Sequence, residues 1–421
     1  MFRTSFFLLA LATCASAIAG GPWPAVSELP ARAELPDPLI TFQGEKVVSK
    51  AQWTDVRRPE LQDLFQHYMY GYLPPRPPQE QFKVVRTDEN FLGGKAILKE
   101  IAISLGPDPV PKINLLLIVP KLKSGKAPVF VGLNFCGNHT VTKDPLVALP
   151  TSLVRDNCGG KDGKAVDAGR GLQEDVWNVD LIIDRGYALA TFYQGDIDPD
   201  TPEFTDGIHP HYFQPGQTKP GQHEWGTIAA WAWGYHRVVD YLVTDNSIDA
   251  TRIAAVGHSR NGKTALLAGA FDDRIKLVIP HQAGCGGSAP SRHKIGEQVK
   301  QINDRFPHWF NDEFALFNDQ VDKLPFDQNC LVALCAPRPV LLSNAVEDTW
   351  ADPDGQFQVL QGADAVYHLL GSKGLEPGAK PELGKLISSP LGYYLRAGKH
   401  SMNRDDWTAF LDFADKNFSD R

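Results

Sequence analysis

The chain has 421 residues, of which 43% are apolar and 22% charged, and its formal net charge at pH 7 is −8. These values are ordinary for a soluble globular protein and exclude disordered, collagenous and coiled-coil chains. The negative charge, together with the lack of a compact Lys/Arg cluster in the sequence, argues against nucleic acid as a partner, because polyanions bind basic surfaces.

The first residues have the three-part pattern of an export signal. Arg3 supplies a short positive region, residues 6–12 are an unbroken apolar run, and residues 17–19 (Ala-Ile-Ala) fit a cleavage site. We therefore predict a signal peptide over residues 1–19 and a mature protein that is periplasmic or secreted. No other segment has about 18 consecutive apolar residues, so no membrane partner is predicted.

Export would place the cysteines in an oxidising compartment. Five of the six cysteines lie outside the predicted signal peptide, which permits at most two internal disulfides and one free thiol: Cys136, Cys158, Cys285, Cys330 and Cys335. Their spacing matches neither a zinc site nor a thioredoxin motif, so we interpret them as structural. The histidines and acids also lack a ligand spacing such as H-E-x-x-H, and no metal or cofactor is predicted.

A Pro-rich segment over residues 20–85 with one helical stretch at 59–70 comes first, and apolar runs then alternate with amphipathic ones. Strands are predicted at 113–119, 127–133, 187–192, 253–256, 277–279 and 340–342, and helices at 227–243, 263–271 and 404–417. The helix at 227–243 is expected to carry its Ala, Trp and Val residues on one side. This alternation over about 300 residues, without a repeat or a linker, indicates an α/β sheet with helices on both faces. One domain is predicted over residues 20–421.

The most informative stretch is an apolar strand that leads into Gly257, Ser259 and Gly262 and then into a helix rich in Ala and Leu. A serine on a sharp strand-to-helix turn exposes its hydroxyl and points backbone amides at a developing oxyanion. The common form of this turn is G-x-S-x-G, whereas here the second glycine follows Ser259 by three residues. The flanking strand and helix favour a nucleophile over an ordinary turn.

A serine nucleophile on such a sheet needs a base held by an acid, in the chain order Ser, acid, His. His400 precedes the last helix and has the expected late position. The strand that begins near residue 340 is followed by Glu347 and Asp348, at the edge where α/β sheets place functional loops. Three other histidines are interpreted as packing, hydrogen-bonding or surface residues: His258, His281 and His368.

The segment Gly257-His-Ser-Arg-Asn-Gly-Lys263 resembles the G-x-S-R-x-G-K signature of the glucuronoyl esterases, carbohydrate esterase family 15. The resemblance covers most of the mature chain, through the blocks at 225–234, 283–287, 306–310, 347–353 and 398–400. The loop at 134–140 and an insertion at about 151–172 are closest to the bacterial branch.

The resemblance implies an α/β-hydrolase fold, a three-layer αβα sandwich with a mostly parallel central sheet. It also implies cleavage of the ester between (4-O-methyl-)glucuronic acid branches of xylan and lignin alcohols. The expected partner is therefore a glucuronoxylan–lignin ester, and we expect the enzyme to be a monomer.

The resemblance assigns roles to single residues. Ser259 would attack the uronoyl carbonyl, His400 would act as general base and then as acid, and Arg260 would stabilise the oxyanion. The sugar would be bound through its hydroxyls and its ring face by three side chains: Lys263, Glu297 and Trp350. Without the resemblance, Lys263 would be interpreted as a solvated helix residue and Trp350 as a core aromatic.

The chain departs from the family pattern at one position. Many members carry the triad acid 23 residues after the nucleophile, where this chain has Gln282, which cannot hold a negative charge against an imidazolium. The later strand end must then supply the acid. Asp348 is preferred to Glu347 because neighbouring residues point to opposite faces and because the resemblance aligns Asp348 with the alternative acid of bacterial members. The predicted triad is Ser259, His400 and Asp348.

Two other functions are compatible with these residues. Another exported carbohydrate esterase, such as an acetylxylan deacetylase, would share the fold and triad but would have no use for Lys263, Glu297 and Trp350. A non-catalytic polysaccharide-binding hydrolase homologue is supported by Gln282 alone, and the intact pair of nucleophile and base argues against it.

Replacing Asp348 by Asn should lower kcat by orders of magnitude, because an amide cannot stabilise the imidazolium that forms when His400 takes the serine proton. Gln282→Ala should not cause a loss of that size. Steady-state ester hydrolysis measures both variants. A small loss in Asp348→Asn beside a large one in Glu347→Gln would overturn the assignment.

Overall fold

The computed structural model describes residues 23–293 and 295–419, so the predicted signal peptide lies outside the described residues. The strands are β1 (Gln81–Phe91), β2 (Ala96–Ser104), β3 (Lys112–Pro120), β4 (Ala127–Asn134), β5 (Gly160–Lys161), β6 (Lys164–Ala165), β7 (Ala188–Tyr193), β8 (Ile248–His258), β9 (Leu277–His281), β10 (Val340–Ala345), β11 (Leu386–Ile387) and β12 (Leu391–Arg396). The α-helices are α1 (Lys50–Gln52), α2 (Arg58–Phe65), α3 (Glu174–Trp177), α4 (Val179–Asp184), α5 (Thr227–Leu242), α6 (Arg260–Phe271), α7 (Val299–Arg305), α8 (Gln328–Ala333), α9 (Pro353–Leu369) and α10 (Arg404–Ser419). Each strand and helix predicted from the sequence is present within these bounds or differs by a few residues at its ends.

The central sheet has ten strands in the order β1-β2-β3-β7-β4-β8-β9-β10-β12-β11. From β7 to β12 in that order, all neighbours pair in parallel. Antiparallel pairs extend the sheet at both edges. Strands β5 and β6 form a separate hairpin within the insertion. The chain thus has the α/β-hydrolase fold, as predicted.

Apolar side chains form a core on each face of the sheet. One cluster contains residues of α2, α5, α6, α8 and α9, and the other contains residues of α3, α4 and α10. Helices therefore cover both faces, which completes the three layers and explains why every residue of β4, β7, β9 and β10 is buried.

The prediction of a one-sided helix at 227–243 is wrong, because every residue of α5 is buried. Its outer surface is covered by the segment that precedes β1. Arg237 and Asp240 of α5 form an ion pair at 2.8 Å. In the preceding segment, Arg76 lies 3.5 Å from Asp240 and Glu80 lies 3.6 Å from Arg237. The N-terminal region thus completes the burial of this helix through charged contacts, which a hydrophobic pattern does not reveal.

A disulfide between Cys136 and Cys158 joins the end of β4 to the insertion. The remaining cysteines in the described part of the chain, Cys285, Cys330 and Cys335, are buried thiols. One bridge lies within the predicted limit of two. It fixes the insertion beside the loops that follow the parallel strands, where the candidate site lies.

Replacing both Cys136 and Cys158 by Ser should lower the free energy of unfolding by about 2–4 kcal/mol, because the bridge restricts the unfolded chain between residues separated by 22 positions. Urea unfolding of the oxidised protein and the double variant measures the difference. Dithiothreitol should destabilise the wild type towards the variant and leave the variant unchanged. Equal midpoints for the oxidised wild type and the variant would contradict a stabilising bridge.

Candidate active site

Ser259 lies on a tight turn between β8 and α6. Its backbone has φ 59° and ψ −125°, a conformation that non-glycine residues adopt only under constraint. The turn requires two glycines: a Cβ at Gly257 would lie 1.9 Å from the carbonyl oxygen of Asn261, and one at Gly262 would lie 2.9 Å from that of Gly257. The spacing of the glycines therefore follows from close backbone approach, as the strand-to-helix pattern predicts.

The predicted base and acid are in direct contact. Nδ1 of His400 lies 2.6 Å from Oδ2 of Asp348. Strands β10 and β12 are parallel neighbours, so the loops that follow them meet at the same edge of the sheet. Asp348 is buried, whereas the side chain of Glu347 is exposed and its backbone N–H bonds to Gly398. The geometry therefore favours Asp348 over Glu347 as the partner of the imidazole.

The ring of His400 lies close to two further imidazoles, one of which belongs to the turn of Ser259. The ring of His258, which precedes Ser259, lies 4.5 Å from the ring of His400 and 5.1 Å from that of His281. Burial, reinforced by the neighbouring His281, keeps the pKa of His258 well below its usual range. A neutral imidazole therefore lies beside His400.

The guanidinium of Arg260 is held by aromatic rings and one acid. It lies 4.8 Å from the ring centre of Trp309 and 5.2 Å from that of Phe306, and it forms an ion pair with Asp200. Such stacking suits a planar cation. Arg260 is therefore fixed beside Ser259 without depending on solvent-exposed contacts.

Asp200 is a site residue that the sequence analysis missed. It accepts hydrogen bonds from His308 at 2.9 Å and Trp309 at 2.8 Å. Burial favours the neutral acid, but the hydrogen bond from His308 and the charge of Arg260 outweigh it and lower the pKa of Asp200 to about 2. The available signal was the acidic run Asp-Ile-Asp-Pro-Asp at 196–200, which begins three residues after the buried strand β7, much as Glu347 and Asp348 follow β10.

The three predicted sugar contacts lie near the loops that follow β9 and β10, and Nζ of Lys263 lies 6.0 Å from the centre of the Trp309 ring that also packs on Arg260. Lys263 is buried, and its Nζ donates to the carbonyl oxygens of Ala283 and Cys285, both at 2.5 Å. Burial lowers the pKa of Lys263, and the negative charge of Glu297 opposes this effect. The backbone N–H of Glu297 bonds to the carbonyl of Trp350, whose side chain is 50% exposed. Lys263 is therefore no solvated helix residue, and Trp350 is no core aromatic.

A cavity of about 280 Å³ opens beside Arg260, on the side of β4 and β7. It is lined by apolar and polar groups, among them Phe135, Leu153, Tyr193, Gln194 and the disulfide. Gln194 is buried, and its Oε1 has no hydrogen-bond partner among the residues that the structure describes.

Over residues 23–293 and 295–419, no group of three or more His, Cys, Asp or Glu side chains is arranged to hold a metal ion. None of the helices in the same ranges is both long and apolar enough to cross a membrane.

Comparison with known proteins gives consistent matches. Residues 176–371 match the family model described as glucuronyl esterase, fungi. The chain is 48% identical over 387 residues to carbohydrate esterase MZ0003 of an unknown prokaryotic organism, which covers 90% of this chain and 89% of the relative. Among solved structures, a promiscuous CE15 esterase from a marine bacterial metagenome is 46% identical with a TM-score of 0.86, over 93% of this chain and 98% of the other. A glucuronoyl esterase from Solibacter usitatus is 39% identical with a TM-score of 0.87, over 93% of this chain and 100% of the other.

The free energy of unfolding should decrease as the pH falls from about 6.5 towards 4. Burial lowers the pKa of His139 to about 4, and it lowers the pKa of three further histidines: His236, His258 and His281. The unfolded chain binds protons at these positions near pH 6.5 and the folded protein does not, so acid favours unfolding. Burial raises the pKa of three acids, Glu80, Asp206 and Asp196 (that of Asp196 to about 6), and these titrate in the opposite direction. Burial also lowers the pKa of His67 and His211, so six histidines stand against the three acids.

Urea unfolding at pH 7 and pH 5 measures this loss. His258→Phe keeps the stacking and removes one titrating ring, so it should reduce the difference between the two pH values. His368→Gln serves as the control because His368 is exposed beside Asp364. Equal unfolding free energies at the two pH values would show that these rings do not stay neutral.

Proposed function

The chain belongs to carbohydrate esterase family 15, the glucuronoyl esterases, and is a carboxylic ester hydrolase; from this premise we propose that Ser259, His400 and Asp348 are its catalytic triad. The proposed substrate is the ester between (4-O-methyl-)glucuronic acid side chains of xylan and lignin alcohols. The observation that carries the proposal is the 2.6 Å contact of His400 with Asp348, beside the strained turn of Ser259.

In the acylation step, Oγ of Ser259 attacks the uronoyl carbonyl while Nε2 of His400 takes the hydroxyl proton. Asp348 accepts the Nδ1–H bond and stabilises the imidazolium. The backbone N–H and guanidinium of Arg260 stabilise the oxyanion, and Asp200 keeps that guanidinium in place. The imidazolium then protonates the alcohol oxygen as the ester bond breaks.

Deacylation repeats these roles with water as the nucleophile. His400 takes a proton from the water as its oxygen attacks the acyl carbon, and it returns that proton to Oγ of Ser259 as the acid leaves. The product is a free uronate, and the enzyme returns to its starting state without a cofactor.

We assign the sugar to the side of Lys263, Glu297 and Trp350. An exposed indole suits the apolar face of a pyranose ring, and a carboxylate accepts hydrogen bonds from its hydroxyls. Nζ of Lys263 makes two hydrogen bonds to carbonyl oxygens, so one of its three N–H groups is left for a sugar oxygen. Its two backbone bonds also hold the 283–285 loop against α6.

We assign the alcohol to the opposite side, in the cavity beside Arg260. An ester whose sugar lies near Trp350 directs its alcohol away from it, towards β4 and β7. Phe135 and Leu153 offer apolar contact to an aromatic alcohol, and Gln194 offers a hydrogen-bond acceptor to its hydroxyl groups.

Acetyl esters are a second candidate substrate. A relative with 46% identity is described as a promiscuous esterase. The triad does not itself select the acyl group, because that selection depends on the residues around the sugar.

We also propose that residues 20–421 form one catalytic domain that acts as a monomer in the periplasm or outside the cell. The continuous sheet from β1 to β12 supports one domain. The bridge between Cys136 and Cys158 fits an oxidising compartment.

The wild type should hydrolyse benzyl glucuronate in preference to acetylated xylan, because Glu297 and Trp350 would bind a uronate ring, and methyl galacturonate shows how far the orientation of the ring hydroxyls matters. Initial rates with the three esters at equal concentration measure the preference, and Ser259→Ala should abolish all activity. Cleavage of acetylated xylan alone would make the protein an acetyl esterase. Binding to glucuronoxylan without hydrolysis of any ester would refute the proposed reaction.

A further inference from the structure

Two consecutive residues at the end of β9 accept backbone hydrogen bonds from two segments of the proposed triad: the turn of Ser259 and the loop of His400. The carbonyl of His281 accepts the backbone N–H of Ser259 at 2.9 Å. The side-chain Oε1 of Gln282 accepts the backbone N–H of Ser401, the residue after His400, also at 2.9 Å. The nucleophile and the base therefore share one anchor on a strand that contributes neither of them.

The side chain of His400 contacts Asp348 and the ring of His258, and its position also depends on how the backbone of its loop is held. The side chain of His400 is 43% exposed and its hydrogen bond is to Asp348. The carbonyl of Ser401 lies 2.6 Å from Nη2 of Arg396 and 2.9 Å from Nε2 of His281. These contacts fix the acceptor end of residue 401, and Gln282 fixes its donor end.

Gln282 occupies an unfavourable position to make this bond. Its φ is 47°, in the left-handed region, and its backbone N–H bonds to Ser343 at 2.8 Å. The residue is 1% exposed, and its Nε2 has no hydrogen-bond partner within the described ranges. Strain and an unpaired donor both cost free energy, so the position is constrained by something other than stability.

The carboxamide of Gln282 carries no charge, whereas a charge at this position would affect the protonation of the nearby imidazoles. His258, His281 and His400 lie close together at this end of the sheet. A carboxylate at position 282 could accept the same N–H, but its charge would favour protonation of the neighbouring imidazoles. A neutral acceptor leaves Asp348 as the carboxylate in contact with His400, while the buried Asp406, 3.6 Å from Nε2 of His281, is paired with Arg396.

We propose that Gln282 is a positioning residue that keeps the loop of His400 in register with Ser259 through the N–H of Ser401, without adding a second negative charge beside the base. This inference rests on the proposed esterase function. It assigns a role to the position that lacks the acid found in many relatives.

Three variants test the proposal with benzyl glucuronate as substrate. Gln282→Leu removes the acceptor at similar volume, and its kcat should fall about tenfold with KM within twofold of wild type, because a displaced base slows the chemical step. Gln282→Glu keeps the acceptor, so kcat at high pH should stay near wild type while the acid limb of the kcat/KM profile moves to higher pH. Gln66→Leu is the matched control, since Oε1 of Gln66 accepts the N–H of Leu73 at 3.1 Å in the N-terminal segment.

Hydrogen–deuterium exchange of the peptide around residues 397–403 gives a readout that does not depend on activity. Gln282→Leu should speed exchange there, whereas Gln66→Leu should not. If the wild type cleaves no ester, the proposed function fails, and exchange alone decides the anchor.

Wild-type kcat and unchanged exchange in Gln282→Leu would overturn the proposal. The proposal would also be overturned if Gln282→Leu and Gln282→Glu lost kcat equally, with a raised KM and a lowered unfolding midpoint. That result would indicate general damage to the packing. If Gln282→Leu does not fold, the pH profile of Gln282→Glu carries the test: a shifted acid limb supports the proposal, and a lost kcat contradicts it.

Discussion

The hydrogen bond from the N–H of Ser259 to the carbonyl of His281 joins the nucleophile's turn to the neighbouring strand. The turn has an unfavourable backbone conformation, and this bond together with the close approach at Gly257 holds it there. Because β9 is also paired with β10, the same junction sets the position of the loop that carries Asp348. The relative positions of nucleophile and acid are thus determined by sheet hydrogen bonds and not by contacts between their side chains.

Charged side chains and neutral imidazoles lie on different sides of Ser259. Arg260 and Asp200 form a charged pair enclosed by Trp309 and Phe306 on one side of Ser259. On the other side, burial keeps the imidazoles of His258 and His281 neutral. In the proposed reaction, the buried charge pair would polarise the ester carbonyl without reorganisation, and the neutral rings would leave proton transfer to His400. The proposed stabilisation of the oxyanion and the proposed proton transfer thus depend on different groups of residues.

The sequence predicts the parts of this site that depend on local patterns. Ser259 follows from a strand, a turn and a helix in succession, and Asp348 and His400 follow from their places after apolar strands. Asp200 and the anchoring contact of Gln282 depend on residues 60 and 119 positions away in the chain, and no periodicity encodes such pairs. The antiparallel strand β1 was missed for a related reason, since most of its residues are exposed and it has no apolar run. The full burial of α5 likewise depends on charged residues from a distant segment.

The disulfide ties the wall of the cavity beside Arg260 to the end of β4, while the triad stands on strands that it does not touch. The positions of Ser259, His400 and Asp348 therefore depend on the sheet, whereas the shape of the cavity depends on the disulfide. Protein made in a reducing cytoplasm would retain the turn, the base and the acid, yet its insertion would be free of its covalent link to the sheet. With the alcohol in the proposed cavity, two preparations with the same fraction of reactive Ser259 would differ in their rates with bulky alcohol esters. The oxidation state of the disulfide should therefore be checked in each preparation.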